Sequence, residues 1–183
     1  MVLAIIQNPI YFSIFLFIVL VLLFYYVEHV LPKRNLNKVK VKVNEFLKQE
    51  YIHAKVIDSH KKSYDFYFQI DDTRYFIKVL TLPIAGELVS YNKTSWQIHY
   101  GGGKRPGKTF TKKKPIPELS SFVLFDPKME SGKIKKVLIV YPDAHNLLQW
   151  VNESEMVILE PKTNVHGIKV VRFTQLFDSF KLL

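Results

Sequence analysis

The sequence predicts an α/β domain with a mixed sheet, preceded by a single transmembrane helix. An unbroken apolar run occupies Ile10 to Val27. The rest of the chain alternates between segments with helical spacing and short apolar or aromatic segments that are typical of strands. We therefore expect an N-terminal membrane anchor over residues 1–32 and one domain over residues 33–183, because about 150 residues suit a single core.

The apolar run is long enough to span a bilayer. It contains no charged residue, and about 20 residues at about 1.5 Å each cross a hydrocarbon core of roughly 30 Å. A cleaved signal peptide would have basic residues before the run and small residues after it, whereas this run ends in the bulky residues Phe24 to Val27. A core helix would carry a polar stripe, yet Ser13 is the only polar interruption. We expect a retained anchor at residues 10–27.

Basic residues follow the apolar run, and none precedes it. They are Lys33, Arg34, Lys38, Lys40 and Lys42. Lys and Arg beside a span are preferentially retained on the cytoplasmic side, so we expect a single-pass protein with its N-terminus outside and its C-terminal domain in the cytoplasm. The chain has no cysteine, which excludes disulfides and thiolate metal ligands and is compatible with a reducing compartment.

The first half of the domain predicts a helix followed by antiparallel strands. Leu36 to Phe46 has apolar residues at helical spacing, and good helix formers follow it. Two aromatic and β-branched runs flank Asp71, Asp72 and Thr73, which indicates a hairpin. The predicted strands are Tyr51 to Ile57, Tyr64 to Ile70, Arg74 to Leu80, and one more within Leu88 to Tyr100.

The second half predicts a basic loop and then alternating helices and strands. Three prolines and six basic residues lie between Lys104 and Pro117, which favours a mobile surface loop over residues 101–117. Gly167 is expected to form the turn before the last strand. The predicted elements are a helix at Leu119 to Phe125, a buried strand at Lys136 to Tyr141, a helix at His145 to Val151, a buried strand at Met156 to Leu159 and a strand at Lys169 to Phe173.

Positive charge is concentrated in the predicted loop. The formal net charge of the chain is +10, and the segment from Lys104 to Lys114 contains no acid. Such a loop can contact nucleic acid phosphates or lipid head groups, which charge alone does not distinguish. The candidate residues for binding nucleic acid or another polyanion are Lys104, Arg105, Lys108, Lys112, Lys113 and Lys114.

The same loop contains the pattern of a nucleotide-binding phosphate loop. Gly102, Gly107, Lys108 and Thr109 have the spacing G-x-x-x-x-G-K-[ST]. In that motif a helix begins at the lysine and supplies amides to the phosphates. The segment from residue 110 to residue 117 contains two prolines and does not favour two turns of helix. We therefore expect no nucleotide and no resident cofactor.

Asp65 and Lys78 are the candidate catalytic residues. They lie near the start of one predicted hairpin strand and within the next. This layout resembles the restriction-endonuclease-like superfamily, the PD-(D/E)XK nucleases, including nuclease-related domains on membrane-anchored proteins. The resemblance implies Asp65 as a Mg²⁺ ligand and Lys78 as the activating lysine, with a second acid two residues before the lysine. Phe76 occupies that position, so the resemblance favours the fold over the activity.

Three functions follow from these observations. The favoured prediction is a membrane-anchored domain that binds a polyanion through the basic loop, with nucleic acid as the favoured ligand and without catalysis. The first alternative is a Mg²⁺-dependent nuclease that uses Asp65, Lys78 and an acid outside the usual pattern. The second is a structural or partner-binding membrane protein whose basic loop touches lipid.

Overall fold

The computed structural model describes residues 9–51, 54, 56–59, 63–83, 86–101, 112–127, 132–144, 146–152, 155–160 and 163–176. The chain divides into two compact units, Met1–Lys38 and Val39–Leu183. The predicted α/β class is confirmed, with two mixed sheets where the sequence indicated one.

The N-terminal unit contains one helix that is long and apolar enough to cross a membrane. Helix α1 (Pro9–Tyr25) continues through a π-helical turn (Tyr26–Val30) into helix α2 (Leu31–Glu50). No side chain of α1 is buried. The helix predicted at Leu36 to Phe46 is confirmed within α2.

Eleven strands and one further helix make up the rest of the described fold. The strands are β1 (Ile57–Asp58), β2 (Phe66–Ile70), β3 (Thr73–Thr81), β4 (Glu87–Asn92), β5 (Ser95–Tyr100), β6 (Lys112–Pro115), β7 (Lys133–Tyr141), β8 (Leu147–Asn152), β9 (Glu155–Ile158), β10 (Asn164–Val165) and β11 (Ile168–Arg172). Helix α3 (Pro117–Leu124) lies between β6 and β7, and a 3₁₀ turn (Phe173–Gln175) follows β11.

Two sheets share these strands. The main sheet has the order β1-β2-β3-β7-β11-β10, in which β3, β7 and β11 are parallel and the other neighbours are antiparallel. The second sheet has the order β6-β5-β4-β8-β9, in which only β4 and β8 pair in parallel. All five strands of the second sheet lie between β3 and β11 in sequence. The other two strands in that interval, β7 and β10, belong to the main sheet.

Helix α2 covers one face of the main sheet with its C-terminal half. Side chains alternate between the two faces of a strand, and this face carries the fully buried residues Phe66, Phe68, Ile77, Val137, Ile139 and Val171. The buried helix residues Val39, Val43, Phe46 and Leu47 recur at helical spacing. Lys40 Nζ lies 2.7 Å from Asp58 of β1, and Lys42 Nζ lies 4.5 Å from the ring centre of Phe173 after β11. Lys40 and Lys42 are two positions apart on α2, so their side chains extend from opposite sides of the helix to these two places.

The other face of the main sheet packs against α3 and the second sheet. Phe76, Leu138 and Val170 of the main sheet belong to one buried cluster with residues from both partners. The partner residues are Leu119, Phe122 and Val123 of α3 and Leu88, Trp96, Ile98 and Leu147 of the second sheet. Each fully buried apolar side chain contributes about 1.5–3 kcal/mol, so this cluster is the principal core on that side.

The structure confirms the hairpin and corrects three other predicted strands. The strands predicted around residues 71–73 are β2 and β3. Leu88 to Tyr100 forms two paired strands, β4 and β5, instead of one. The strand predicted at Tyr51 to Ile57 is observed only at β1, and residues 52, 53 and 55 lie outside the described part of the chain. The strand predicted at Met156 to Leu159 is present as β9, but all four of its residues are exposed.

The helix predicted at His145 to Val151 is wrong. Residues 147–152 form β8, which pairs with β4 on one side and with β9 on the other. A short apolar run does not distinguish a buried helix from a strand by periodicity, and pairing with distant strands decides the outcome here. With a strand in place of this helix, the restriction-endonuclease-like type of fold is not confirmed.

The loop predicted over residues 101–117 is also wrong at its C-terminal end. Residues 112–115 form β6, and α3 begins at Pro117. Residues 102–111 lie outside the described part of the chain. Proline at the first helical position suits the start of α3, because an amide at that position has no partner within the helix.

Candidate functional site

Asp65 and Lys78 meet at the end of the β2–β3 hairpin. Lys78 Nζ donates to Oδ1 of Asp65 at 3.1 Å, and the side chains are 14% and 19% exposed. The amide of Val79 donates to Oδ2 of the same carboxylate at 2.7 Å. The Asp65 amide in turn donates to the carbonyl of Ile77 at 2.9 Å. Asp65 therefore extends the hydrogen bonding of the hairpin by one residue, and both of its carboxylate oxygens accept hydrogen bonds.

Phe76 occupies an aromatic cluster beside this pair. Its ring centre lies 5.0 Å from Tyr64, 5.7 Å from Tyr67 and 5.4 Å from Phe125, and the residue is 3% exposed. Phe76 and Lys78 are two residues apart on one strand, so they point to the same face. The position that a nuclease would use for its second acid is thus occupied by a packed ring. Within the described residues, no group of three His, Cys, Asp or Glu side chains could hold a metal ion.

A second half-buried lysine lies next to the aromatic cluster. Lys136 is the cross-strand neighbour of Phe76, and its Nζ donates to the carbonyl of Val123 at 2.8 Å. Burial lowers the pKa of Lys136, and Asp126 opposes the shift. A hydrogen bond from an ammonium to a carbonyl compensates part of the cost of burying the charge. Lys136 therefore joins α3 to the main sheet.

The described part of the basic segment is an edge strand. Lys112, Lys113 and Lys114 are exposed and belong to β6, which pairs with β5 alone. Lys113 lies opposite His99, and its neighbours lie opposite Tyr100 and Ile98. No acidic side chain of the described residues lies within ion-pair distance of the three lysines. Lys104, Arg105, Lys108 and the phosphate-loop pattern of Gly102, Gly107 and Thr109 lie outside the described residues.

A polar group on the second sheet was missed at the sequence level. Glu87 and His99 are cross-strand neighbours, and they are 7% and 6% exposed. The side-chain amide of Asn146 donates to Oε1 of Glu87 at 2.5 Å. The Tyr91 hydroxyl and Gln97 Oε1 lie 3.3 Å and 3.4 Å from Nε2 of His99. Had Leu88 to Tyr100 been interpreted as a hairpin, strand alternation would have indicated this grouping.

The electrostatic environment keeps His99 neutral near pH 7. Burial lowers the pKa of His99, Lys113 lowers it further, and Glu87 opposes both effects. The unperturbed pKa of histidine is about 6.5, so a lowered value leaves the imidazole uncharged at neutral pH. Both contacts are made by Nε2, which in a neutral imidazole is either the donor or the acceptor, so the tautomer protonated on Nε2 is the one that suits the amide oxygen of Gln97.

Comparison of the chain with protein-family models, with curated proteins and with solved structures found no match. Its functional residues are therefore assigned from sequence chemistry and geometry alone.

Proposed function

We propose that this protein is a membrane-anchored domain that binds a polyanion, with nucleic acid as the favoured ligand, and that it does so without catalysis. The observation that carries the proposal is the exposed edge strand β6. Its three lysines, Lys112, Lys113 and Lys114, are held on a regular strand and have no described acidic partner.

The geometry of β6 suits the phosphates of an extended ligand. Pairing with β5 fixes its backbone, so binding does not have to order this segment, and the entropic cost of ordering a loop is reduced. Alternation places Lys113 on one side of the strand and its two neighbours on the other. Phosphate contacts from lysine position a nucleic acid without reading its sequence, so we expect little sequence preference.

Membrane attachment and orientation are parts of the same proposal. The long apolar helix supports a single span, and the basic residues from Lys33 to Lys42 support a cytoplasmic domain. In that orientation the lysines of β6 face the compartment that contains nucleic acid.

The absence of catalysis rests on Phe76 and on the environment of Asp65. Hard divalent cations are held by several oxygen ligands, whereas a buried aromatic ring occupies the expected position of the second acid. Both oxygens of Asp65 also accept hydrogen bonds from Lys78 and the Val79 amide. We assign Asp65 and Lys78 a structural role at the end of the hairpin.

A Mg²⁺-dependent nuclease is the second candidate function. The 3.1 Å contact between Lys78 and Asp65 favours it, because the resemblance to the PD-(D/E)XK nucleases requires these two residues on adjacent strands. That function also needs a carboxylate from elsewhere in the chain. Activity that depends on both Mg²⁺ and Asp65 would distinguish this candidate from the non-catalytic proposal.

The lysines of β6 should determine how binding depends on salt. On duplex DNA, each neutralised phosphate contributes about 0.9 to the slope of log affinity against log salt. We expect replacement of Lys112, Lys113 and Lys114 by alanine to reduce that slope by up to about 3 units. The fold should be unaffected, because exposed positions contribute little to stability. The measurement uses the full chain in phosphatidylcholine nanodiscs, with labelled duplex DNA titrated at several salt concentrations.

A matched variant controls for the loss of net charge. Lys48, Lys93 and Lys133 are exposed lysines elsewhere on the domain, and their triple alanine variant should keep a slope closer to that of the unmodified chain. The proposal is wrong if the unmodified chain binds neither DNA nor RNA at low salt, or if the β6 variant keeps the full slope. Attraction to anionic lipid without any nucleic acid binding would favour the lipid-contacting alternative.

A further inference from the structure

We infer that two copies of this chain associate in the membrane by pairing their β9 strands antiparallel, edge to edge. The inference goes beyond the proposed function, because it concerns the opposite edge of the second sheet from β6 and does not depend on any ligand. It rests on the membrane attachment proposed above, which concentrates the copies.

Strand β9 is an apolar edge strand. It is last in the second sheet, and β8 is its one neighbour among the described strands. Met156, Val157 and Ile158 are 44%, 43% and 61% exposed. Natural edge strands are protected by charged side chains, by proline or by a covering element. The one charged residue on β9 is Glu155, so three successive apolar positions are left unprotected.

The hydrogen bonding between β8 and β9 shows which backbone groups face the free edge. The Leu159 amide donates to the carbonyl of Leu147 at 2.8 Å. Hydrogen-bonded and non-hydrogen-bonded pairs alternate along antiparallel strands, so the backbone groups of Val157 also face β8. Those of Met156 and Ile158 face outward. The free edge therefore offers two donors and two acceptors to another strand.

One register satisfies these groups and also matches the apolar side chains. A twofold axis normal to the sheet keeps every side chain on its own face, so it passes between two identical residues. When these are the two copies of Val157, Met156 of each copy lies opposite Ile158 of the other. Met156 and Ile158 then exchange backbone hydrogen bonds at two places. All three exposed apolar residues of β9 gain an apolar partner.

Charge favours this pairing over other combinations of the two edges. Pairing β6 with β6 would bring three lysines of each copy together, and like charges directly opposite each other are destabilising. Pairing β9 with β6 would cover apolar side chains with lysines. In the β9 pair, Glu155 lies opposite Leu159, so the two acids do not meet. The outer edges of the joined sheet are then the two β6 strands, whose lysines and proline protect them, so association ends at two copies.

The contact is small, which explains why it needs the membrane. Strand β9 contributes four residues, whereas a stable interface has about 20–30 residues on each side. Such a contact should be weak between freely diffusing copies. Confinement to one membrane raises the effective concentration of the copies, as tethering does. We therefore expect dimers in bilayers and monomers in dilute detergent.

Single-cysteine variants test this register directly, because the chain has no cysteine of its own. Cα atoms of a non-hydrogen-bonded pair are about 4.5 Å apart, which lies within the range of roughly 4.4–6.8 Å that a disulfide spans. Val157→Cys should therefore cross-link rapidly when the full chain is oxidised in phosphatidylcholine liposomes. In Met156→Cys and Ile158→Cys the two cysteines are offset by two residues, about 8 Å apart, so we expect cross-linking to be at least about tenfold slower.

Ile57→Cys is the matched control for random collision. Ile57 is 47% exposed, close to the 43% of Val157, and lies on β1 at the edge of the main sheet. A rate for Val157→Cys no higher than that for Ile57→Cys would overturn the inference. So would fastest cross-linking in Met156→Cys or Ile158→Cys.

A charge at the centre of the contact tests the pairing without a covalent bond. Val157→Lys places two ammonium groups opposite each other, so we expect it to lower dimer affinity by at least about tenfold. Ile57→Lys should leave affinity unchanged, and both variants should fold because the positions are exposed. The measurement is energy transfer between labelled copies of the full chain as lipid is added to the liposomes. Unchanged energy transfer in Val157→Lys would overturn the inference.

The outcomes separate this inference from the proposed function. Replacement of Lys112, Lys113 and Lys114 by alanine should leave the dimer intact, because β6 lies at the other edge of the sheet. Salt-dependent nucleic acid binding without dimers in liposomes would overturn this inference alone. Dimers with the expected cross-linking pattern, without any nucleic acid binding, would support it and overturn the proposed function.

Discussion

Replacing Phe76 with glutamate should destabilise the domain severely and should not create a nuclease. Phe76 is 3% exposed and is surrounded by the rings of Tyr64, Tyr67 and Phe125. Loss of a buried phenylalanine costs about 3–5 kcal/mol, and burial of a carboxylate without a partner adds to that cost. Chemical unfolding of the full chain in mild detergent, followed by tryptophan fluorescence, measures the change, because Trp96 and Trp150 both lie in the unit Val39–Leu183.

Phe76→Leu and added Mg²⁺ control this experiment. The leucine variant loses part of the packing without adding a charge, so it should be clearly more stable than the glutamate variant. Mg²⁺ bound at a completed site would stabilise the glutamate variant by about 2.7 kcal/mol at one hundred times the dissociation constant. We expect no such effect. A glutamate variant that regains stability in Mg²⁺ and cleaves nucleic acid would contradict the structural role given to Phe76 and promote the nuclease interpretation.

The Asp65–Lys78 ion pair should show strong energetic coupling. Both side chains are less than one-fifth exposed, so removal of one partner leaves a poorly solvated charge on the other. In a double-mutant cycle with Asp65→Asn and Lys78→Met, we expect a coupling free energy of about 1–3 kcal/mol. Asparagine retains an oxygen that can accept from the Val79 amide, so the cycle reports mainly on the ion pair.

The Lys40–Asp58 pair is the matched control. Its atoms are closer, at 2.7 Å, but the Asp58 side chain is 66% exposed. Exposed ion pairs contribute about 0–1 kcal/mol, so its cycle should give the smaller value. A coupling free energy near zero for Asp65 and Lys78 would contradict the structural role given to this pair.

The strongest local patterns predicted the β2–β3 hairpin and the helix within α2 correctly. The hairpin followed from alternation on both sides of Asp71 and Asp72, and Asp71 indeed adopts a positive φ of 49° in the turn. The helix at Leu36 to Phe46 followed from a long periodic pattern. In both cases the residues within the segment determine its secondary structure, and contacts with distant parts of the chain do not change it.

Elements that depend on distant partners could not be predicted. Three lysines followed by a proline have low strand propensity, yet β6 forms because β5 offers a free edge. The segment at residues 147–152 becomes a strand because β4 and β9 pair with it. Asp65 and Lys78 were identified as candidate residues because their layout on the predicted hairpin resembles that of the PD-(D/E)XK nucleases. The polar group of Glu87, His99, Tyr91 and Gln97 was missed because its residues come together only when β4 and β5 are placed side by side.

Ultraviolet cross-linking in intact cells tests the central claim most directly, because it requires the domain and nucleic acid to share a compartment. Cells that make the full chain are irradiated, the membranes are solubilised, and the chain is isolated under denaturing conditions. We expect nucleic acid to be covalently attached to the unmodified chain, and expect attachment to fall sharply when Lys112, Lys113 and Lys114 are replaced by alanine. Absence of attached nucleic acid, or equal attachment in the triple variant, would contradict the claim that this membrane-anchored domain binds nucleic acid through β6.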